Sequence, residues 1–127
     1  MLIYISVYLF GAVCYGLIEI LWRGYTHWTM LILGGLCSLA IYSVNCMFSG
    51  SSIFFRAFIS ALIITVLELV SGIIINLKLG WGVWDYSSMK YNFLGQISLE
   101  YSFFWYLLSI PASLLSTAVS RSFFTSL

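Results

Sequence analysis

Residues 53–77 read IFFRAFISALIITVLELVSGIIINL, an apolar run that contains only two charged side chains, Arg56 and Glu68. A membrane-spanning helix needs about 20 mainly apolar residues to cross a hydrocarbon core about 30 Å thick, and this run is long enough. Three further runs of similar character lie at residues 2–21, 28–47 and 101–119. Because backbone groups inside a bilayer must be hydrogen-bonded within the protein, each run is expected to be helical. The sequence therefore predicts an all-α integral membrane protein, a four-transmembrane-helix bundle that forms a single domain over residues 1–127.

The composition supports this class and argues against others. Hydrophobic residues make up 62% of the chain and charged residues 7%, with a net charge of +1. Five basic residues scattered singly do not form the basic patch that nucleic-acid binding requires, so we expect no nucleic-acid partner. The expected surroundings are the lipid bilayer of the plasma (cytoplasmic) membrane, with the chain crossing it several times. Four helices of this size enclose little volume, so a second copy or a partner membrane subunit is also expected.

The cysteines and the histidine do not indicate a metal site. Cys14, Cys37 and Cys46 lie in predicted helices without a C-x-x-C spacing, and His27 is the only histidine. We expect the thiols to pack as small apolar groups, and we predict no metal and no cofactor. No nucleophile–base–orienter set is visible, so we predict no enzymatic activity.

The basic residues do not decide the orientation in the membrane. Four spans place both termini, Arg56 and Arg121 on one side, and Arg23, Lys78 and Lys90 on the other. The positive-inside rule counts Lys and Arg near the ends of spans, and here the two sides nearly balance. Cytoplasmic termini are the preferred orientation, and the reverse stays open.

Two carboxylates, Glu19 and Glu68, each lie near the end of an apolar run. An ionisable side chain at membrane depth costs roughly 2.5–3.5 kcal/mol on insertion scales, so it normally faces a partner, a cavity or a pathway. Glu19 precedes Arg23 by four residues, the spacing of an ion pair along one helix face. Ala12 and Gly16 lie on that face and allow another helix to approach closely. Simple neutralisation of the pair and a gating role both remain open.

Glu68 belongs to a longer polar face of its run. The other members of this face are Ser60, Ala61, Thr65, Ser71, Gly72 and Asn76. Such a face is costly against lipid and is expected to lie against other helices or water. At 1.5 Å per residue, Glu68 lies roughly 13 Å inside the end of the run. Two interpretations remain open: a protonated Glu68 that joins helices, or a proton or solute site reached by water or by Arg23.

The segment 81–96 is aromatic and too long for a tight turn. We expect an element that caps the bundle and is either re-entrant or interfacial, with an ordinary aromatic-belt loop as the alternative. The predicted interfacial aromatic side chains are Trp22, Trp28, Trp81 and Trp84. If the segment caps the bundle, its polar side chains converge with the two acids at one mouth. The candidate solute- or proton-binding residues are therefore Glu19, Arg23, Glu68, Ser71, Asp85, Tyr86, Asn92 and Gln96.

The last run carries start and bend signals. Ser98 is a plausible N-cap, and Glu100 in the first turn suits the helix dipole. Pro111 lies in the middle of the run and predicts a kink, because it removes a backbone donor. Three hydroxyl side chains at spacing four, Ser109, Ser113 and Thr117, offer a packing surface or hydroxyls that could repair the freed backbone.

Several short motifs, taken together, carry a family resemblance. They are ELVSG at 68–72, WDYS at 84–87, Asn92, GQIS at 95–98 and Trp105, together with YGLIE at 15–19 followed by Arg23. In this order they resemble the ABC-transporter type IV (CmpB-like) membrane family, and a set of small vertebrate membrane proteins looks similar as well. Residues 29–35 depart from the pattern that the family shows on entering its second helix. The resemblance implies a permease role for a chain that carries no ATPase.

Two functions follow as hypotheses. The first is a permease or permease subunit with a protonatable site at Glu68 and a polar mouth formed with Glu19, Arg23 and Asp85. The second is a non-transport membrane module that binds a partner protein or a lipid headgroup through the segment 81–96.

Overall fold

The structure, a computed structural model, describes residues 2–125, and side chains from residue 2 to residue 119. Its elements are α1 (Leu2–Arg23), α2 (Trp28–Met47), α3 (Ile53–Gly72), a π-helix (Ile73–Lys78) that continues α3, β1 (Asn92–Phe93), β2 (Ile97–Ser98) and α4 (Leu99–Thr125). Among the described residues, four helices are long and apolar enough to cross a membrane, which confirms the predicted fold class. The side chain of Arg121 and the amino terminus lie outside the described residues.

The helices begin where the sequence offers a capping side chain. Ser52 Oγ accepts a hydrogen bond from the Phe55 amide at 3.3 Å and starts α3. Ser98 Oγ accepts from the Tyr101 amide at 3.2 Å, and Glu100 lies in the first turn of α4, both as predicted. At the other end of α1, Gly24 adopts a φ of 83°, a left-handed conformation that costs glycine little and ends the helix.

α2 is the central helix of the bundle. It packs along α1 on one side and also contacts α3 and α4, while α3 and α4 pack along each other. Within the described residues, α1 does not pack along α4. The two helices approach each other near one end, where Tyr15 stacks on Trp105 with ring centroids 5.5 Å apart. The apolar cleft described below lies between these two helices and α2.

α3 differs from the prediction at its end. A single helix over 53–77 was expected, and instead the last turn widens into the π-helix Ile73–Lys78. Asn76 lies in this turn, where its Oδ1 accepts from the Val83 amide at 2.7 Å and its Nδ2 donates to Gln96 Oε1 at 2.8 Å. Single π turns are frequent where a side chain is redirected. Here Asn76 fastens the following loop to the end of α3.

The loop between α3 and α4 folds onto the bundle through Trp84. This side chain is 5% exposed and belongs to a core cluster with Tyr15, Met30, Leu33, Cys37 and Ile64. Its Nε1 donates to the Gln96 carbonyl at 2.9 Å. Trp84 is therefore a core residue instead of the interfacial one that was expected, because the loop supplies an acceptor for the indole N–H. The strands β1 and β2, of two residues each, form an antiparallel hairpin that closes the loop. In this hairpin Asn92 pairs with Ser98.

α4 runs through Pro111 as one helix from Leu99 to Thr125. Ser109 and Ser113 are fully buried, so the predicted hydroxyl face is a packing surface. Ser109 Oγ donates to the Trp105 carbonyl at 2.7 Å, and Thr117 Oγ1 donates to the Ser113 carbonyl at 3.0 Å. These hydroxyls bond to carbonyls one turn back in their own helix.

Replacing Trp84 by alanine is expected to lower the free energy of unfolding by about 3–5 kcal/mol, because a large buried aromatic side chain leaves a cavity and an unpaired carbonyl. Thermal unfolding in detergent measures the effect. Trp28→Ala is the control, since Trp28 is 57% exposed. Equal losses in the two variants would contradict the core position of Trp84.

Candidate functional site

Glu68 is buried between α3 and α4. Its side chain is 2% exposed, and Oε2 accepts a hydrogen bond from Trp105 Nε1 at 3.0 Å. One turn earlier, Thr65 Oγ1 lies 3.0 Å from Ser102 Oγ across the same interface. The polar face of α3 is thus directed at a neighbouring helix. With only 2% of the residue exposed, the carboxylate depends mainly on protein groups for its hydrogen bonds.

Glu19 and Arg23 form a half-buried ion pair at the end of α1. Arg23 Nε lies 2.6 Å from Glu19 Oε2, and the side chains are 22% and 14% exposed, respectively. The contact is an ion pair without the alignment of a hydrogen bond. Arg23 Nη1 also donates to the Val83 carbonyl at 3.1 Å, and the guanidinium lies 4.6 Å from the centre of the Tyr25 ring. Arg23 therefore connects the acid of α1 to the loop that carries Trp84.

Tyr86 lies within electrostatic reach of both acids and the base. Burial raises the pKa of its hydroxyl, the charges of Glu68 and Glu19 raise it further, and the charge of Arg23 acts in the opposite direction. Its ring stacks on Tyr101 with centroids 4.8 Å apart. The structure thus brings four of the predicted residues, Glu19, Arg23, Glu68 and Tyr86, to one end of the bundle. These four and their neighbours Tyr15 and Trp105 are called the acid cluster below.

Asp85 has a different place. It is exposed, and its Oδ1 accepts from the Ser87 amide at 2.9 Å. This backbone hydrogen bond holds the pKa of the Asp85 carboxyl below its usual range. The structure does not bring Asp85 to the acid cluster, because its side chain caps a turn of its own loop.

Asn92 and Gln96 also stabilise the loop. Asn92 Nδ2 donates to the Met89 carbonyl at 2.7 Å, and its Oδ1 accepts from the Gly95 amide at 3.0 Å. Gln96 is buried and bridges Asn76 and the Leu94 carbonyl, to which its Nε2 donates at 3.0 Å. Both amide side chains are engaged in holding the loop fold. Ser71 is half-buried on α3.

Exposed aromatic rings surround this end of the bundle. His27, Trp28 and Trp81 pack together, with centroids 5.6 Å apart for His27–Trp28 and 5.8 Å apart for Trp28–Trp81. Trp22 is also exposed, and its Nε1 donates to Tyr101 Oη at 3.3 Å. Amphipathic rings at the ends of spans fit an interfacial position, which remains a prediction for Trp22, Trp28 and Trp81.

Trp105 was not among the candidate site residues from the sequence, although it was one of the family-like motifs. The sequence did offer one signal, a tryptophan inside an apolar run. The indole N–H of such a residue needs a hydrogen-bond acceptor within the protein. Choosing Glu68 as that acceptor requires the register of α3 against α4, which the sequence does not reveal. Among residues 2–119, no group of three His, Cys, Asp or Glu side chains is placed to hold a metal ion.

An apolar cleft of about 510 Å³ lies between α1, α2 and α4. Its walls are mainly hydrocarbon with several small residues, including Gly11, Cys14, Gly34, Ser109 and Ala112. At one end it is bounded by the stacked Tyr15 and Trp105. Trp105 therefore lines the cleft and also donates to Glu68.

These features define a multi-pass α-helical membrane protein with a buried acid near one end of its spans. The family model described as "Putative ABC-transporter type IV" matches residues 2–126, and the chain belongs to this family. The resemblance noted from the sequence motifs is thereby confirmed. No curated protein and no solved structure matches the chain.

A spin label on Cys14, in a variant with Cys37→Ala and Cys46→Ala, tests whether the cleft opens to lipid. In proteoliposomes we expect strong relaxation by molecular oxygen, which concentrates in hydrocarbon, and weak relaxation by a water-soluble nickel chelate. The control is a label on Ser87→Cys in the exposed loop of a variant in which Cys14 is also replaced by alanine, where the order should reverse. Strong relaxation of the Cys14 label by the chelate would show a water-filled cleft.

Proposed function

We propose that this chain is a small permease or permease subunit in which Glu68 is the protonatable or solute-binding group. The observation that carries the proposal is the burial of this carboxylate inside a candidate span, with the indole of Trp105 as its hydrogen-bond donor. Intramembrane acids are rare because they are costly, and they typically belong to solute or proton pathways. Membership of a family described as transporter-type supports the same function.

The Glu19–Arg23 pair acts as the outer gate in this proposal. Arg23 also donates a hydrogen bond to the Val83 carbonyl, which attaches the loop to α1. Separation of Arg23 from Glu19 would therefore move the guanidinium next to this attachment point. Tyr86 lies within the electric field of both acids, which supports including it in the site. Asp85, first considered for the mouth, is assigned to the loop turn that it caps.

Accessibility at position 68 tests whether a path reaches the acid. In a variant with Cys14, Cys37 and Cys46 replaced by alanine, Glu68→Cys is expected to react with a membrane-impermeant maleimide from one side of the membrane. The labelled side also fixes the orientation. Ser87→Cys in the same background is the control for reagent access.

Labelling at Ser87→Cys without labelling at Glu68→Cys in the folded protein would contradict the proposal. Glu68 would then be a buried connection between helices.

Neutralising the acid tests its role in proton movement. Glu68→Gln keeps an oxygen that accepts from Trp105, so we expect the thermal unfolding midpoint to change little, while proton uptake into proteoliposomes under an imposed potential falls at least about tenfold. A pH-sensitive dye inside the vesicles reports the flux. Glu100→Gln, at an exposed acid in the first turn of α4, should behave like the parent protein. Equal flux in Glu68→Gln and the parent would refute a proton-carrying role.

One observation favours a second function, a membrane module that binds a partner protein or lipid headgroup through the segment 81–96. The tip of this loop exposes Tyr91, Phe93 and Leu94, of which Leu94 has a left-handed φ of 55°. Exposed apolar side chains on a loop suit an interface or the headgroup region. If this function is correct, Phe93→Ser should reduce lipid or partner retention during purification while leaving position 68 inaccessible.

A further inference from the structure

A second polar cluster lies at the other end of the bundle and is independent of the proposed permease function. Arg56 Nη1 donates to Asn45 Oδ1 at 2.8 Å and to Thr117 Oγ1 at 3.2 Å. Asn45 Nδ2 in turn donates to Ser113 Oγ at 3.0 Å and to the Ile41 carbonyl at 2.8 Å. Three helices, α2, α3 and α4, thus hold one guanidinium nitrogen in place.

The groups that hold Arg56 are neutral, and they are fixed by the core of the bundle. Asn45 is buried and Ser113 is fully buried, so their positions are set by the core of the bundle. Thr117 donates its own proton to the Ser113 carbonyl and therefore presents an oxygen lone pair to Arg56. The guanidinium is oriented by this cluster, and its charge is not neutralised there.

The carboxylate side chains of the chain are far from this cluster. The chain contains four, Glu19, Glu68, Asp85 and Glu100. Glu68, on the same helix, lies twelve residues from Arg56, about 18 Å along the helix axis. Among the described side chains, the ion pair found is the one between Glu19 and Arg23. A guanidinium at the start of a helix also lies next to the positive end of the helix dipole, which is unfavourable. A nearby anion would offset both this repulsion and the cost of an unpaired charge in a membrane span.

One edge of the guanidinium has an N–H without a hydrogen-bond partner among the described residues. Nη1 is engaged, whereas Nε of Arg56 is buried and has no hydrogen-bond partner among the described residues. Nε and Nη2 form the fork that binds two oxygens of a phosphate or carboxylate side-on. The unpaired edge is thus the one that fits an oxyanion.

The position of Arg56 along its span indicates which kind of oxyanion it can meet. The candidate span Ile53–Lys78 has 26 residues and is about 39 Å long, which exceeds a hydrocarbon core of about 30 Å. Its ends therefore reach the headgroup region, and Arg56 lies in the first turn. We propose that Arg56, held by Asn45 and Thr117, binds the phosphate group of an anionic phospholipid.

Binding of phosphatidylglycerol to the full chain in detergent tests this proposal, with native mass spectrometry as the measurement. Arg56→Gln is expected to weaken binding at least about tenfold, the loss of a charge-assisted pair of hydrogen bonds. Arg56→Lys keeps the charge without the fork and should lose part of that affinity. Lys78→Gln, which removes an exposed cation at the opposite end of the span, should bind within about twofold of the parent.

Thr117→Val covers the case in which Arg56→Gln does not fold. It leaves the guanidinium and its charge intact but removes one of its two acceptors, so we expect weaker phosphatidylglycerol binding without a loss of net charge. Equal weakening in the Arg56→Gln and Lys78→Gln variants would overturn the site, because it would show diffuse attraction only. Binding of inorganic phosphate through Arg56 without binding of phosphatidylglycerol would overturn the assignment to lipid.

Discussion

The bundle is organised by the requirement that polar groups inside a bilayer find their partners within the protein. α3 carries two charged side chains, Arg56 in its first turn and Glu68 deeper in the span. α4 supplies a partner to each, through Thr117 and through the indole of Trp105. The α3–α4 interface is consequently polar at both ends, and its register is set by these two contacts instead of by apolar packing alone.

The loop between α3 and α4 follows the same requirement. Its amide side chains turn inward, with Gln96 bonded to Asn76 of the π-helix and with its carbonyl accepting the indole of Trp84. The loop is thereby folded as part of the bundle. The side chains of Asp85, Asn92 and Gln96 are used for the structure of the loop. Of its predicted site residues, only Tyr86 therefore joins the acid cluster.

Much of the fold was predictable from local signals. The four apolar runs gave the spans, Ser98 and Glu100 gave the start of α4, and the polar face around Glu68 gave the side that is buried. The burial of Trp84, the pairing of Trp105 with Glu68 and the Arg56–Asn45 cluster were not predictable. Each depends on which helices are neighbours and at what register, and the hydrophobic period of a single run contains no information on either.

Trp105 connects the two features that a transport pathway would need. Its ring bounds the apolar cleft on one side, and its N–H is the donor to Glu68 on the other. Movement of the indole away from Glu68 would leave the carboxylate without this donor. An unpaired buried acceptor costs about 1–3 kcal/mol, so a proton, water or solute would have to replace the indole. If the chain is a permease as proposed, the position of Trp105 would therefore link the cleft to the occupancy of Glu68.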